Sequence, residues 1–462
     1  MTRAGTTARL VALLLGLSTI GWAAARPPER APDRRPNLLL VVTDDQTWDS
    51  LDGSPEAMPW LARQLADPAR GWIRFTDATV STPVCCPSRV TILTGSPAWE
   101  TGVARNSDGR LLDPRETVIA DLQRAGYTTG LVGKYLNGYP WDLGPHVPGG
   151  WDRWVAKLNV AEATTYFSYP VIEQTSAVRV ERTPEGYSTD WLAERAASFI
   201  RAAPSDRPWL LAFTPSAPHP PFTPAPRHAG ALEGAPPAAP ALDELNDVAD
   251  APAWVRALPP IDAARAASLA RQRLAARETL LAVDEALARL WDEVVARDQA
   301  DRTVVLLTSD NGYSFGEHRW VGKRCPYREC VQVPFVARTP WGPGGVTTEP
   351  VSTLDLAPTI AELAGIAAAR APGRSLVPIL RGAPSIPPAA PRVSWYVGDA
   401  VVPAWWSVRD DRYALILTEG GGVELYDVRT DPAESHDLAP THRDVVARLS
   451  RSVPDLPIGT PR

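Results

Sequence analysis

Leu38-Leu39-Leu40-Val41-Val42, followed at once by Thr43-Asp44-Asp45, is the stretch that decides the fold class. An unbroken apolar run of this length fits a strand buried on both faces, as in a parallel sheet covered by helices. The pattern returns elsewhere. Thr303-Val304-Val305-Leu306-Leu307 runs into Thr308-Ser309-Asp310-Asn311-Gly312, and Trp209-Leu210-Leu211-Ala212-Phe213 leads to Ala217-Pro218-His219. A shorter run, Thr128 to Val132, ends at Gly133-Lys134. Helical stretches lie between these runs: Met58 to Leu65, Thr117 to Ala125, Asp190 to Ala202, and a long one from about Asp262 to Arg297. Strands alternating with helices predict an α/β fold with a large, mostly parallel sheet flanked by helices. Polar residues collect just after the strands' C-terminal ends, where open α/β sheets place their sites.

Farther along, Ser352 to Ala364 reads as a helix, and the segment from Pro218 to Pro260, rich in Pro and Ala, reads as an excursion over the surface. Beyond the proline-rich stretch Pro384 to Pro391 the pattern changes. Val393 to Val397, Trp405 to Arg409, Tyr413 to Leu417 and Val423 to Val428 are short strands split by turns, and His442 to Ser450 reads as a helix. They predict a small antiparallel sheet with one helix on it. The expected division is a catalytic domain over residues 36–383 and a C-terminal subdomain over 392–462. Residues 1–25 read as an export signal: Arg3 and Arg9, an apolar core from Leu10 to Ile20, and the small residues Ala23-Ala24-Ala25. That run is too short to span a bilayer comfortably, so an exported protein is expected, secreted or at the cell surface or in a periplasm, without stable membrane insertion.

The chain's 462 residues are enough for a large core, and its net charge of −6 with no long basic run argues against a nucleic-acid partner. Its 48 prolines are about twice the usual share, which places much of the chain in loops. The four cysteines are Cys85, Cys86, Cys325 and Cys330. In an oxidising compartment Cys325 and Cys330 are close enough to pair around a small loop, or they stay as thiols.

Cys85-Cys86-Pro87-Ser88-Arg89, continuing as Val90-Thr91-Ile92-Leu93-Thr94-Gly95, carries the chemistry. Pro87 suits a first helical position, Ser88 to Leu93 can form a short helix, and Gly95 can end it. Cys85 would then lie just before a helix N-terminus, where free N–H groups and the dipole favour an oxyanion. Arg89, one turn in, offers a planar fork for the same charge. Asp44 and Asp45 after one strand, with Asp310 and Asn311 after another, offer only oxygen, which selects a hard cation.

The pentad and the run behind it resemble the signature of the sulfatase family. The Lys134-Tyr135-Leu136-Asn137 form, together with the paired cysteines, is locally similar to the N-acetylglucosamine-6-sulfatase branch. The resemblance implies the alkaline phosphatase-like fold. It also implies that Cys85 is oxidised after translation to formylglycine by a formylglycine-generating enzyme, and that the hydrated aldehyde attacks sulfur. By the same resemblance Asp44, Asp45, Asp310, Asn311 and the modified Cys85 hold a divalent cation; calcium's looser geometry and its abundance outside cells make it the preferred ion, with magnesium the alternative. Lys134 and Lys323 (in Gly322-Lys323) would touch the sulfate, His219 in Ala217-Pro218-His219 would protonate the leaving alcohol, and His318 in Gly316-Glu317-His318 would stand near the pocket. Asn137 departs from the family's commoner His, and Asn cannot act as a base near neutral pH.

The expected activity is hydrolysis of the sulfate ester of a sugar or an aryl alcohol, with a sulfated small molecule or saccharide as partner. The alternative within the same site is a phosphodiesterase or phosphonate monoester hydrolase, because phosphorus and sulfur oxyanions share a shape. A catalytically silent secreted binding protein that keeps the pocket is the alternative from another class.

Overall fold

The computed structural model describes residues 1–2, 33–52, 57–158, 166–174, 179–234, 240–367, 372–383, 390–456 and 458. The expected export signal, 1–25, lies almost wholly outside the described residues. The main sheet has ten strands. In chain order they are β1 (Asn37–Thr43), β2 (Trp72–Phe75), β3 (Thr128–Lys134), β4 (Arg153–Lys157), β5 (Val171–Gln174), β6 (Arg179–Arg182), β7 (Trp209–Thr214), β8 (Thr303–Ser309), β9 (Phe335–Arg338) and β10 (Gly345–Thr347). Their spatial order is β10-β2-β9-β8-β1-β7-β3-β4-β5-β6. The five strands from β8 to β4 run parallel. The pairs β8–β9, β9–β2, β4–β5 and β5–β6 are antiparallel.

All seven residues of β1 are buried because they alternate between two helical layers. Leu38, Leu40 and Val42 pack with the helices α2 (Cys85–Thr94), α3 (Val118–Arg124) and α6 (Leu356–Leu363), through Val90, Ile119 and Ile360. Leu39 and Val41 face α1 (Pro59–Leu65), α4 (Ser188–Ala202) and α5 (Ala263–Ala296), through Leu61, Leu192 and Leu287. Each such leucine contributes on the order of 2 kcal/mol by leaving water. The long helix α5 starts where Asp262 accepts from the Arg265 N–H as its N-cap. The stretch 353–363 is a 3₁₀ turn, Thr353–Asp355, that passes into α6.

The four strands β11 (Arg392–Tyr396), β12 (Trp405–Arg409), β13 (Tyr413–Thr418) and β14 (Gly422–Asp427) form a separate antiparallel sheet, with α7 (Arg443–Ser450) against it. An aromatic cluster including Trp99, Tyr327, Trp395, Trp405 and Trp406 joins this sheet to the main body. The Trp395 N–H donates to the Ser81 carbonyl at 2.9 Å across the same seam.

The parallel strands decide where the site lies. In the β1–β8 register Thr43 stands opposite Ser309, so Asp44-Asp45 and Asp310-Asn311 leave the sheet side by side. In the β3–β4 register Lys134 stands opposite Lys157. The loop after β7 comes out at the same edge, and the Asp44 N–H donates to its Ala217 carbonyl at 3.3 Å.

Candidate active site

The helix α2 begins at Cys85, two residues earlier than the expected start at Pro87, so Cys85 lies in its first turn and not before it. Val84 is extended and is the N-cap, and the Ser88 N–H closes the first turn onto its carbonyl at 3.0 Å. Proline is tolerated at Pro87 because the first-turn N–H groups have no partner within the helix. The Cys86 N–H finds one outside, the Asn106 Oδ1 at 2.9 Å. Gly95, in the left-handed conformation at φ 73°, ends the helix as expected.

Cys85 is fully buried at the centre of a charged cluster. Its Sγ lies 3.5 Å from Asp44 Oδ1, 4.0 Å from Asp45 Oδ1 and 2.7 Å from Lys323 Nζ. Lys323 also holds Asp45 at 2.8 Å, and Lys134 Nζ holds Asp44 at 2.7 Å. Arg89 donates from Nε to Asp310 Oδ2 at 2.7 Å and from Nη1 to the Lys134 carbonyl at 2.9 Å. Its buried Nη2 makes no hydrogen bond and stands 3.9 Å from Asp44 Oδ2.

Burial and the neighbouring charges pull these groups in opposite directions. Burial pushes the encoded Cys85 thiol up to about 12. Burial also disfavours charge on Asp44, yet Lys134, His219, Arg89 and Lys323 together hold it well below the usual carboxylate range. Asp310 goes the other way: burial and then the Asp44 charge raise it. Burial lowers Lys323, yet Asp45, Cys85, Asp44 and Asp310 together hold it well above an ordinary lysine.

The backbone is specialised to bring these groups in. Asp45 adopts φ 65°, a left-handed conformation that Asp tolerates better than most residues. Gly133, just before Lys134, could not be larger: a Cβ there would meet the Thr214 carbonyl oxygen at 2.0 Å. One oxygen from each of Asp44, Asp45 and Asp310 and the Cys85 Sγ lie within 4.8 Å of one another. Asn311 donates from Nδ2 to Asp45 Oδ1 at 2.6 Å, which leaves its buried Oδ1 without a partner. An orphaned amide oxygen beside three carboxylates is a donor set that fits a hard divalent cation.

His219 comes to the rim of this cluster. Its Nδ1 lies 2.7 Å from the Pro220 carbonyl, which can only accept, so Nδ1 carries a proton. Nε2 is then the site-facing nitrogen, 3.8 Å from Asp45 Oδ2. The imidazole is one-third exposed, at the mouth.

Of the expected site residues, His318 packs away from the Asp44–Asp45 pair. His318 stacks on Tyr327 at 3.8 Å, and its charged neighbours are Glu434, Glu317 and Asp431 instead of the Asp44–Asp45 pair. Burial holds it below an ordinary histidine. It belongs to the seam with the C-terminal sheet. Asn137 holds the Trp141 indole N–H through its backbone carbonyl, and its buried side-chain oxygen has no partner. Cys325 and Cys330 are joined in a disulfide, the first of the two arrangements that their spacing left open.

Lys157 was missed by sequence reading. It is buried, donates to Ser216 Oγ at 2.9 Å, and is pushed down to about 7 by its burial, with Asp44 opposing and Lys134 adding to the shift. The available signal was the apolar run Trp154-Val155-Ala156 ending in Lys157, which repeats Leu131-Val132-Gly133 ending in Lys134.

The sheet order and the cluster at its C-terminal edge define the alkaline phosphatase-like fold class. A family model described as "Sulfatase" matches residues 36–366, and a second, "N-sulphoglucosamine sulphohydrolase, C-terminal", matches 316–457. The chain belongs to the sulfatase family. It is 33% identical over 377 residues to a putative extracellular sulfatase Sulf-1 homolog of Caenorhabditis elegans, covering 75% of this chain and 49% of that relative. The chain thus spans about half of that relative's length. It is 27% identical to the N-acetylglucosamine-6-O-sulfatase of Bacteroides thetaiotaomicron, covering 92% of this chain and 86% of that one. A solved complex with the substrate D-glucosamine-2-N,6-O-disulfate shares the fold, with TM-score 0.76, 24% identity and coverage of 90% and 96%. The phosphonate monoester hydrolase of Agrobacterium radiobacter shares it too, with TM-score 0.69, 21% identity and coverage of 90% and 94%.

Proposed function

We propose that the protein hydrolyses a sulfate ester of a sugar or aryl alcohol, with 6-O-sulfated glucosamine the first substrate to test. The observation that carries this reading is the placement of Cys85 Sγ between Lys323 Nζ at 2.7 Å and Asp44 Oδ1 at 3.5 Å, beneath the rim histidine. Oxidation of Cys85 to formylglycine supplies the nucleophile, a hydroxyl of the hydrated aldehyde. The encoded thiol marks where that group stands.

Asp44, Asp45, Asp310, Asn311 and the modified Cys85 would hold calcium, or magnesium. The ion supplies positive charge that favours an ionised nucleophile and an anionic substrate. The three carboxylates are matched by Arg89, Lys134 and Lys323. A divalent cation therefore leaves the cluster net positive, which suits a sulfate ester. Arg89 offers its unbonded Nη2 to an oxyanion at position 85. Lys134 and Lys323 bind and orient the sulfate oxygens, charge that is in place before the substrate arrives. With both ring nitrogens protonated, His219 gives the Nε2 proton to the leaving oxygen and keeps the one on Nδ1, whose bond to Pro220 holds Nε2 aimed inward.

Residues 36–383 form the catalytic domain in this reading and 392–462 the C-terminal subdomain. Residues 1–25 direct export, and a formylglycine-generating enzyme acts during maturation. Among the described residues no helix is long and apolar enough to cross a membrane. The resemblance in fold to a phosphonate monoester hydrolase keeps phosphorus esters as the second reading.

The test is protein made with a formylglycine-generating enzyme and assayed on N-acetylglucosamine 6-sulfate, nitrophenyl sulfate, a phosphate diester and a phosphonate monoester. Sulfate release with an aldehyde at position 85 in peptide mass spectrometry is expected. Faster turnover of either phosphorus ester, or full activity in Cys85→Ala, would overturn the reading.

A further inference from the structure

Lys157 is a buried lysine at the end of β4 that the roles above leave unused. An isolated ammonium is costly to bury, by several kcal/mol before compensation. A leucine or methionine would fill the same strand end without that cost.

The contacts of Lys157 lead to the rim histidine. Nζ sits 5.2 Å from the Tyr169 ring centroid and donates to Ser216 Oγ at 2.9 Å. Ser216 is itself buried, and its backbone carbonyl accepts the His219 N–H at 2.8 Å. The His219 carbonyl in turn accepts from the Tyr166 hydroxyl at 2.6 Å. The short turn 216–219 is thus fastened at both ends, by Lys157 through a side chain and by Tyr166 through the backbone. It is this turn that sets where the imidazole stands. The strand register fixes Lys157 beside Lys134, whose ammonium holds Asp44, so the fastening point and the charged cluster share one sheet edge.

We infer that Lys157 is a positioning residue that, through Ser216, holds the His219 Nε2 over the cluster. This rests on the reading of His219 as proton donor to the leaving alcohol. Without the Lys157 amine, Ser216 Oγ loses its donor and the turn can rotate away from the carboxylates. A proton donor displaced by about 1 Å costs up to about 10²-fold in rate.

The test uses Lys157→Met, which keeps length and removes charge, in wild type and in His219→Ala, with kcat/KM read on N-acetylglucosamine 6-sulfate and nitrophenyl sulfate. Aldehyde content and thermal midpoint are checked for each variant. In the wild-type background, Lys157→Met is expected to lower turnover of the sugar sulfate about 10–100-fold and of nitrophenyl sulfate much less. In the His219→Ala background it should cost under about twofold, because a misplaced group that is already gone cannot be lost again. Ser216→Ala removes only the accepting hydroxyl, should give the same pattern, and serves if Lys157→Met does not fold. Equal losses in both backgrounds would overturn the inference. If His219→Ala alone harms both substrates equally, the proton-donor reading fails, but the coupling between positions 157 and 219 still decides whether the tether exists.

Discussion

At the residue scale, His219 and the carboxylates make the sharpest predictions. General acid catalysis typically contributes about 10²–10⁴-fold, in proportion to how basic the leaving oxygen is. His219→Ala should therefore cost about that much on a sugar sulfate and far less on nitrophenyl sulfate, whose phenolate departs without a proton. Steady-state rates on both esters check it, and equal losses would assign His219 to sulfate binding instead. The carboxylates Asp44, Asp45 and Asp310 crowd together with the orphaned Asn311 oxygen beside them. Chelation should abolish activity, and calcium should restore it better than zinc, because the donors are all hard oxygens. Stoichiometric zinc in the purified, active protein would contradict that assignment. Aspartates at strand ends were legible as candidate ligands, because their type and their place after apolar runs are properties of the sequence. The contacts of His318 were not. Its motif places it near the pocket, and only the packing of Tyr327 shows that its ring faces the seam.

At the element scale, one helix depends on another for its start. α1 opens at Pro59 with Met58 as an N-cap that makes no side-chain bond. Its first N–H groups are taken instead by Asp284 of α5, from Trp60 at 2.6 Å and Leu61 at 2.9 Å. Burial pushes Asp284 up to about 6, against those two hydrogen bonds. Asp284→Ala leaves both donors without an acceptor and should destabilise the fold by about 1–3 kcal/mol in chemical denaturation. An unchanged midpoint would mean that water replaces the carboxylate. Among the elements, helices and central strands were readable because their periodicity and apolar runs are local. The strands β2, β9 and β10 were not, because Trp72-Ile73-Arg74-Phe75 becomes a strand only through its partners on either side. Lys157 was overlooked for the same reason: its meaning depends on the strand beside it.

At the scale of the whole molecule, Glu424 sits at the seam between the C-terminal sheet and the main body. It is almost fully buried and accepts from the hydroxyls of Tyr327 at 2.8 Å and Tyr426 at 2.7 Å. Burial, with Asp437 and Glu434 nearby, raises it from 4.5 to about 7. The folded form thus keeps a proton that the unfolded chain has already lost. Stability should fall as pH rises through that window, from about 4.5 to about 7, by on the order of 3 kcal/mol. Glu424→Gln cannot lose a proton and should show a flatter profile between pH 5 and 8 in denaturation experiments. Identical profiles for the two proteins would remove Glu424 from the account.

The sequence by itself determined the fold class, the family and the identity of the groups that gather at the site. Apolar runs, turn residues and a local motif are written along the chain, and each acts through neighbours a few positions away. The tertiary structure decided what those groups do to one another. Asp44 and Asp310 are both strand-end aspartates, yet one is held well below the usual carboxylate range and the other is raised. In a space closed to water, the folded sheet gathers Lys134, His219, Arg89 and Lys323 around Asp44, while burial and the Asp44 charge itself raise Asp310. Such distances join residues more than two hundred positions apart, as Arg89 joins Asp310 across 221 positions, and no local pattern encodes them.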